Sequence, residues 1–412
     1  MRIIIGTSGL GADGGIGSYV DEIAKWLISQ NHEVLVCCAS VIQMNVSKYP
    51  YPILFTQVMN SDKEEFLSIK ELYEKIMSFQ PDVVINNDNI YLSNLFPTLD
   101  SKCVRISVVH GYREHFGWDA HKIINVAAIY NHSYIDWIVT ISNYMYLGMN
   151  NRFRFIKNQL KFLYNGIYPF EELFIPYKIR NNDKEIKILF AGGRKQEKGA
   201  DILFNAFKKL NLDKVSKLKL FWAGSLPEKG PFSKKGLDKF ESIELLGKMN
   251  RKDLMGVLAK CHYLIMPSRI EACPMLLLEA MSLGVVPIVS DCNSAMKEIV
   301  ANANCGVIIK RNNYNALAEA IRGAVNGLSW EENAKRAKEF FYADLHINIY
   351  GKKLIELCQT PRNKRLEKAL PFPPPNLMCF HRKPYIGSKF TFNNIIQRYR
   401  YIYGILKKIN LK

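Results

Sequence analysis

One pattern runs through this chain twice, and it constrains the fold more than any other feature. Short, continuous apolar runs alternate with segments whose apolar residues recur at helical spacing. The pattern breaks near residues 165–186 and then starts again. In the first half "RIIIGTS" leads into a Gly-rich turn, "GLGADGGIG", and then into "SYVDEIAKWLIS". There Val20, Ile23, Ala24 and Leu27 fall on one helical face. "HEVLVCCA" follows as a short β-rich run, and "PDVVINN", "VRISVVHG" and "WIVTIS" repeat the theme. A strand–loop–helix–strand unit of this kind predicts a doubly wound parallel sheet. Strands that are apolar throughout, rather than alternating, suit a sheet covered on both faces.

After the linker, "IKILFAGG", "LKLFWAG", "SIELLG", "HYLIMPS" and "VVPIVSD" read as strands. "ADILFNAFKKL", "RKDLMGVLAKC" and "YNALAEAIRGAVN" read as helices between them. The fold class is therefore α/β, with two Rossmann-like doubly wound domains facing a central cleft. The expected boundaries are 1–170 and 180–329, with a helical segment over 330–359 crossing back to the first domain. In such an arrangement a ligand sits at the strand carboxyl ends, between the domains.

Length and composition agree. The 412 residues suffice for two full cores, and 48% hydrophobic with 23% charged residues is the balance of a globular protein. No apolar run reaches the roughly 18 residues of a membrane span, and the opening residues read as a strand rather than a signal peptide. The nine cysteines are scattered without a C-x-x-C pair. That favours reduced thiols in a cytoplasmic protein over disulfides or a zinc site. No D-x-D pair or His/Cys cluster suggests a metal.

The stretch "SRIEACPMLLLEAMSLGVVPIVSD" carries the most chemistry. Glu271 and Glu279 bracket seven uncharged residues, and Pro274 suits the first position of a helix. Eight helical residues would rise about 12 Å, which spaces the two carboxylates along an extended ligand. Between them the first helix amides, near Met275 and Leu276, form an anion site. Carboxylate, anion hole, carboxylate matches a sugar, a diphosphate and a ribose in that order. By spacing alone an ordinary reading stands beside it, with Glu279 facing water and Glu271 a loop charge.

The same stretch resembles the retaining GT-B-fold glycosyltransferases of the large fourth glycosyltransferase family. Their signature is Glu, seven residues, Glu, then A-M-x-x-G-x-P-V-V. Here it reads "EACPMLLLEAMSLGVVPIV", with Cys273 and Pro274 in place of the usual Phe-Gly and one extra residue before Pro287. The resemblance extends over residues 1–359 through "GGIGSYV", "HG" at His110, "TIS" at 140–142, "YNGI" and "GGRKQEKGADILFNAF". It implies that Glu271 contacts the donor sugar, that Glu279 binds the ribose, and that Arg194 and Lys198 clamp the diphosphate. The family places an Arg five residues before the Lys. Here that place is Gly193, and Arg194 stands four before. Gly15 would bring backbone close to donor or acceptor, His110 would lie near the sugar, with His115 and His121 as rivals, and the backbone at Met249 would hold the base.

The resemblance further implies a retaining, metal-independent transferase. It would need no cofactor beyond the nucleotide-sugar donor, and would act on a lipid-linked glycan acceptor in cell-surface polysaccharide synthesis. A non-catalytic nucleotide-sugar or glycan-binding protein and a sugar-nucleotide epimerase are the alternatives. The Gly-rich turn lacks the G-x-G-x-x-G spacing, and no acidic residue follows at the second strand end, which argues against a dinucleotide enzyme.

The basic balance lies largely at one end. Of the net +18, residues 361–412 carry twelve Lys/Arg against one Glu. Within them Phe392, Ile395, Ile396, Tyr399, Ile402, Tyr403, Leu406 and Ile409 fall near one helical face, with Arg398, Arg400, Lys407 and Lys408 mostly off it. A basic amphipathic tail fits peripheral contact with an anionic membrane. Packing on the protein body or on another chain is the other reading. No nucleic-acid motif is present.

Overall fold

In the computed structural model of the protein, the described residues are 1–361 and Phe372, without 11–14, 40–45, 57–61, 112–130, 182–184, 194–195, 211–216, 227–232, 239 and 327–329. The first half forms one sheet from β1 (Arg2–Thr7), β2 (Glu33–Cys38), β3 (Ile53–Phe55), β4 (Val83–Asn87), β5 (Val104–Val109), β6 (Trp137–Thr140) and β7 (Leu160–Phe162). Their order is β3-β2-β1-β4-β5-β6-β7, and every pairing is parallel.

The second half repeats the plan with β8 (Ile186–Ala191), β9 (Leu218–Ala223), β10 (Ile243–Gly247), β11 (Tyr263–Met266), β12 (Val286–Ser290) and β13 (Val307–Ile309). Their order is β10-β9-β8-β11-β12-β13, again parallel throughout. Every residue of β4, β5, β11 and β12 is buried, because helices cover both faces of each sheet.

Each sheet has one switch point. From β1 the chain steps outward to β2 and β3, then returns to β4 on the other side of β1; β8 and β11 stand in the same relation. Strand carboxyl ends at such a switch leave a crevice where ligands bind. The two crevices meet. Gly15, at the start of the helix Gly15–Ser29 that follows β1, lies against Met275, at the start of the helix that follows β11. A Cβ on Gly15 would stand 3.7 Å from the Met275 Cγ. One buried apolar cluster accordingly takes in Ile4 and Val108 of the first sheet with Leu264 and Val289 of the second and Leu278 of the helix between them.

The chain crosses between the sheets twice, and the crossings are tied together. Ile167 N–H donates to the Leu345 carbonyl at 3.1 Å, and Ile347 N–H donates to that of Ile167 at 2.9 Å. After a π-helical turn, Phe341–Leu345, the helix Ile347–Gln359 returns to lie on Gly15–Ser29. Trp26 Nε1 donates to Asn348 Oδ1 at 2.8 Å, and the Tyr19 and Tyr350 hydroxyls hydrogen-bond each other. Gly351 sits flat under Trp26, where a Cβ would come within 2.5 Å of the indole ring.

Of the basic tail, Pro361 and Phe372 are among the described residues, and the Phe372 ring stacks on Tyr73 at 4.7 Å. The amphipathic stripe expected over 392–409 lies outside them. Among the described residues no helix is long and apolar enough to cross a membrane.

Candidate active site

Two turns meet at the second switch point. After β8 the chain passes Gly192 and Gly193 to the short turn Gln196–Lys198; after β11 a loop over 267–274 leads to the helix Met275–Ser282. Gly199 permits their contact. Its φ is +71°, and a Cβ there would stand 2.2 Å from the Pro267 carbonyl oxygen. Arg269 fastens the two turns. Its backbone N–H donates to the Glu197 carbonyl at 2.7 Å, and its guanidinium donates to that of Gln196 at 2.6 Å. The guanidinium also forks onto the Asp201 carboxylate at 2.8 and 2.6 Å. The hydrogen bond from Arg269 holds the Asp201 carboxyl below its usual range.

With the turns fastened, Lys198 Nζ reaches Glu271 Oε1 at 2.6 Å. Ser268 Oγ donates to the same oxygen at 2.9 Å, and Ser290, at the end of β12, donates to the Ser268 carbonyl. Among the described residues both bonds to Glu271 fall on one oxygen, Oε1. Lys198 keeps about a third of its side chain in solvent, at 34%.

The helix that follows begins one residue later than the sequence suggests. Pro274 has ψ 121°, an extended value, and serves as the N-cap. Its carbonyl takes the first bond, from Leu277 N–H at 3.1 Å. The amides of Met275 and Leu276 precede any helical acceptor and are the donors open to an anion. Only the last five positions from Glu271 to Glu279 are helical, so the two carboxylates are not the ends of one helix.

Glu279 does not face water. It is 5% exposed and accepts from Arg251 Nε at 2.8 Å. Arg251 opens the helix Arg251–Leu258 after β10, capped by Asn250, whose side chain accepts from Asp253 N–H at 2.9 Å. Its other arm crosses to the first sheet's helix, where Nη1 donates to Glu22 Oε1 at 3.0 Å. Tyr168 N–H holds the second Glu22 oxygen at 3.2 Å, and Phe170 lies under the guanidinium at 5.4 Å.

Burial pushes the Glu279 carboxyl up, against the pull of Arg251. Burial works to lower Arg251 as well, yet Glu279 and Glu22 together hold it above its usual value. The two shifts point opposite ways for the pair. One guanidinium in bonding contact with two carboxylates decides for the charged pair. Arg251 Nη2 is buried and has no partner among the described residues.

On the facing side, His110 follows β5 and is buried. Its Nε2 pairs with Asn87 Oδ1 at 2.9 Å, and Tyr19 packs edge-on at 5.1 Å between centroids. Met249 stands two residues ahead of Arg251 and packs on the core. The structure thus brings Lys198, Glu271, Glu279, Met275 and Gly15 to one place. Arg194, His115 and His121 lie outside the described residues.

The sequence reading missed Arg251, Glu22, Ser268 and Asn87. A signal for Glu22 was present, because Tyr19, Glu22 and Trp26 fall a turn apart on a buried helical stripe. Arg251 was findable as the first helical residue after a strand's carboxyl end.

Two doubly wound domains with opposed switch points, and a Lys–Glu pair beside a helix N-terminus, define the class of GT-B glycosyltransferases. Residues 13–169 match the model of Glycosyltransferase Family 4 and residues 172–340 that of Glycosyl transferases group 1. The chain belongs to this fourth glycosyltransferase family.

An uncharacterized glycosyltransferase of Methanocaldococcus jannaschii is 28% identical over 208 residues, 50% of this chain and 54% of that protein. An uncharacterized 41.2 kDa protein in the cps region of Klebsiella pneumoniae is 26% identical over 194 residues, 45% of this chain and 50% of that protein. The chain spans about half the length of these curated relatives. Among solved structures, HepE of Anabaena in complex with UDP superposes with a TM-score of 0.68 at 15% identity, covering 87% of this chain and 100% of that chain. WaaG, a glycosyltransferase involved in lipopolysaccharide biosynthesis, gives 0.64 at 16% identity, covering 86% and 99%. At these identities the likeness is one of fold.

Proposed function

We propose that the protein transfers a sugar, with retention at the anomeric carbon, from a nucleotide-sugar to a lipid-linked glycan acceptor. The observation that carries this reading is the Lys198–Glu271 pair, 2.6 Å apart beside the open amides of Met275 and Leu276. At rest the two charges neutralise each other. A diphosphate seated on the helix amides would draw Lys198, and Arg194 with it, toward its own oxygens, where a cation stabilises charge on the departing phosphate. Glu271 would then turn its oxygens to sugar hydroxyls. Glu279, fixed by Arg251, would accept from the ribose hydroxyls, and the Met249 backbone would meet the base.

The Anabaena HepE structures hold UDP, UDP and glucose, or UDP-glucose, and a starch synthase of the same fold holds ADP, which supports a nucleotide-linked donor. In this reading the amides and the basic pair supply the charge that a metal supplies elsewhere. WaaG's part in lipopolysaccharide biosynthesis and the relative in a cps region support a polysaccharide acceptor. The basic segment 361–412 would hold the enzyme at the cytoplasmic face of a membrane, where a lipid-linked acceptor lies.

Incubation with UDP-, GDP- and ADP-sugars tests the reading. Nucleotide release that depends on an added saccharide supports transfer. An epimerised donor would instead mark an epimerase, and bound but unchanged donor a binding protein.

A further inference from the structure

The contact between Arg251 and Glu279 is half of the pairing that two such groups usually make. A guanidinium and a carboxylate commonly meet as a fork, with two parallel N–H···O bonds. Arg269 does this on Asp201, at 2.8 and 2.6 Å. On a guanidinium Nη2 shares an edge with Nε, so an Nε bond to one carboxylate oxygen readily brings an Nη2 bond to the other. Arg251 Nε donates to Glu279 Oε1 at 2.8 Å, yet Nη2 has no partner among the described residues.

What holds Arg251 out of the fork is a residue of the other domain. Glu22, buried on the Gly15–Ser29 helix, accepts from Arg251 Nη1 at 3.0 Å. Nη1 points away from the edge that faces Glu279, so the two carboxylates hold the guanidinium from two sides. Phe170, 5.4 Å from its centre, fixes the plane. Glu22 is itself held, because Tyr168 N–H donates to its second oxygen at 3.2 Å. Tyr168 follows Ile167, which two backbone hydrogen bonds tie to Leu345 and Ile347. Among the described residues the one side-chain bond to the Glu279 carboxylate thus falls on Oε1.

We propose that Glu22 is a positioning residue of the donor site: by holding Nη1 it keeps Arg251 from forking onto Glu279, and so keeps the second Glu279 oxygen for a ribose hydroxyl. The ribose seat is then set by a carboxylate of the first domain. It is complete only while the Gly15–Ser29 helix lies against the second domain. Without Glu22 the guanidinium turns in its own plane, Nη2 reaches Glu279 Oε2, and the hydroxyl loses its acceptor to a charge-assisted bond. A lysine at 251 does not block the seat in this way, because an ammonium is a point donor without a fork. The inference rests on the reading of Glu279 as the ribose seat.

The test is calorimetry on full-length protein with UDP, GDP and ADP and the 2′,3′-dideoxy form of each. The variants are Glu22→Ala, Glu22→Gln, which keeps the buried volume, and Glu22→Ala combined with Arg251→Lys. Wild type is expected to bind its best diphosphate about tenfold or more tighter than the dideoxy form, the scale of hydrogen bonds to a charged group. Glu22→Ala should close that gap while the dideoxy form keeps its affinity, Glu22→Gln should narrow it, and Arg251→Lys should reopen it. A general loosening of the domains would weaken both forms alike. A gap that persists in both single variants, or that Arg251→Lys fails to reopen, overturns the proposal. A wild type that does not tell ribose from dideoxyribose overturns the ribose seat at Glu279, and the proposal with it. A gap that closes and reopens as expected, with no nucleotide release from any nucleotide-sugar, upholds the role of Glu22 and overturns the transferase reading.

Discussion

Lys198 and Glu271 lie in turns that follow different strands, yet the amine stands 2.6 Å from the carboxylate because Arg269 clips the turn after β8 to the loop after β11. The pair is a by-product of the second switch point. In the proposed transfer Lys198 follows charge onto the departing phosphate, and Lys198→Ala removes that cation. Turnover at saturating donor is expected to fall about 100-fold, the scale of losing one charge-stabilising donor. Steady-state kinetics checks it.

Glu271→Gln separates sugar contact from nucleotide contact. With Oε2 open and Ser268 on the other oxygen, its loss should lower kcat by tenfold or more while nucleotide affinity stays within threefold. A matched loss in nucleotide affinity would place Glu271 on the phosphate or ribose instead.

These residues differ in how readily the sequence shows them. Glu271, Glu279 and Lys198 lie in a motif whose spacing survives without the fold, and both sheets follow from the restart of the apolar pattern. Arg251 and Glu22 are 229 residues apart, and only the packing of the Gly15–Ser29 helix against the second domain joins them. The start of the Met275–Ser282 helix slipped by one residue because the fixed φ of proline suits both an N-cap and a first helical position. Nothing in the sequence singles out Asp88; its burial shows only once β1, β4 and β5 are assembled.

Breaking the bridge that joins the domains has a cost. Glu279→Ala leaves the partly exposed Arg251 with Glu22 alone and opens a cavity where the buried carboxylate stood. A loss of about 2 kcal/mol is expected, between the scales of an exposed and a buried ion pair, read by urea unfolding. Nucleotide affinity should fall with it.

Gly351→Ala tests the return crossing. Its new methyl would meet Trp26 at 2.5 Å, so the helix Ile347–Gln359 must lift from Gly15–Ser29. Overpacking of this kind costs about 1–3 kcal/mol, visible as a lower Tm.

Asp88 gives a pH dependence with a definite sign. Its carboxyl ionises near 3.8 in the unfolded chain and near 7 in the fold, so the folded state holds the extra proton between those values. Stability therefore falls as pH rises from about 4 to 7. The contribution is at most about 4 kcal/mol, from roughly 1.4 kcal/mol per unit. Asp88→Asn should lose this slope and be more stable than wild type at pH 8. Parallel denaturant curves at pH 5 and pH 8 read it, and identical slopes would show the group to be solvated.

The donor assignment is tested most directly by calorimetric titration of UDP-glucose into wild type, Lys198→Ala and Glu279→Gln, with GDP- and ADP-glucose run alongside. The expected result is saturable binding of one donor to wild type and at least tenfold weaker binding to both variants. Unchanged affinity in both variants would contradict the account, because the donor would then lie away from the β8–β11 switch point.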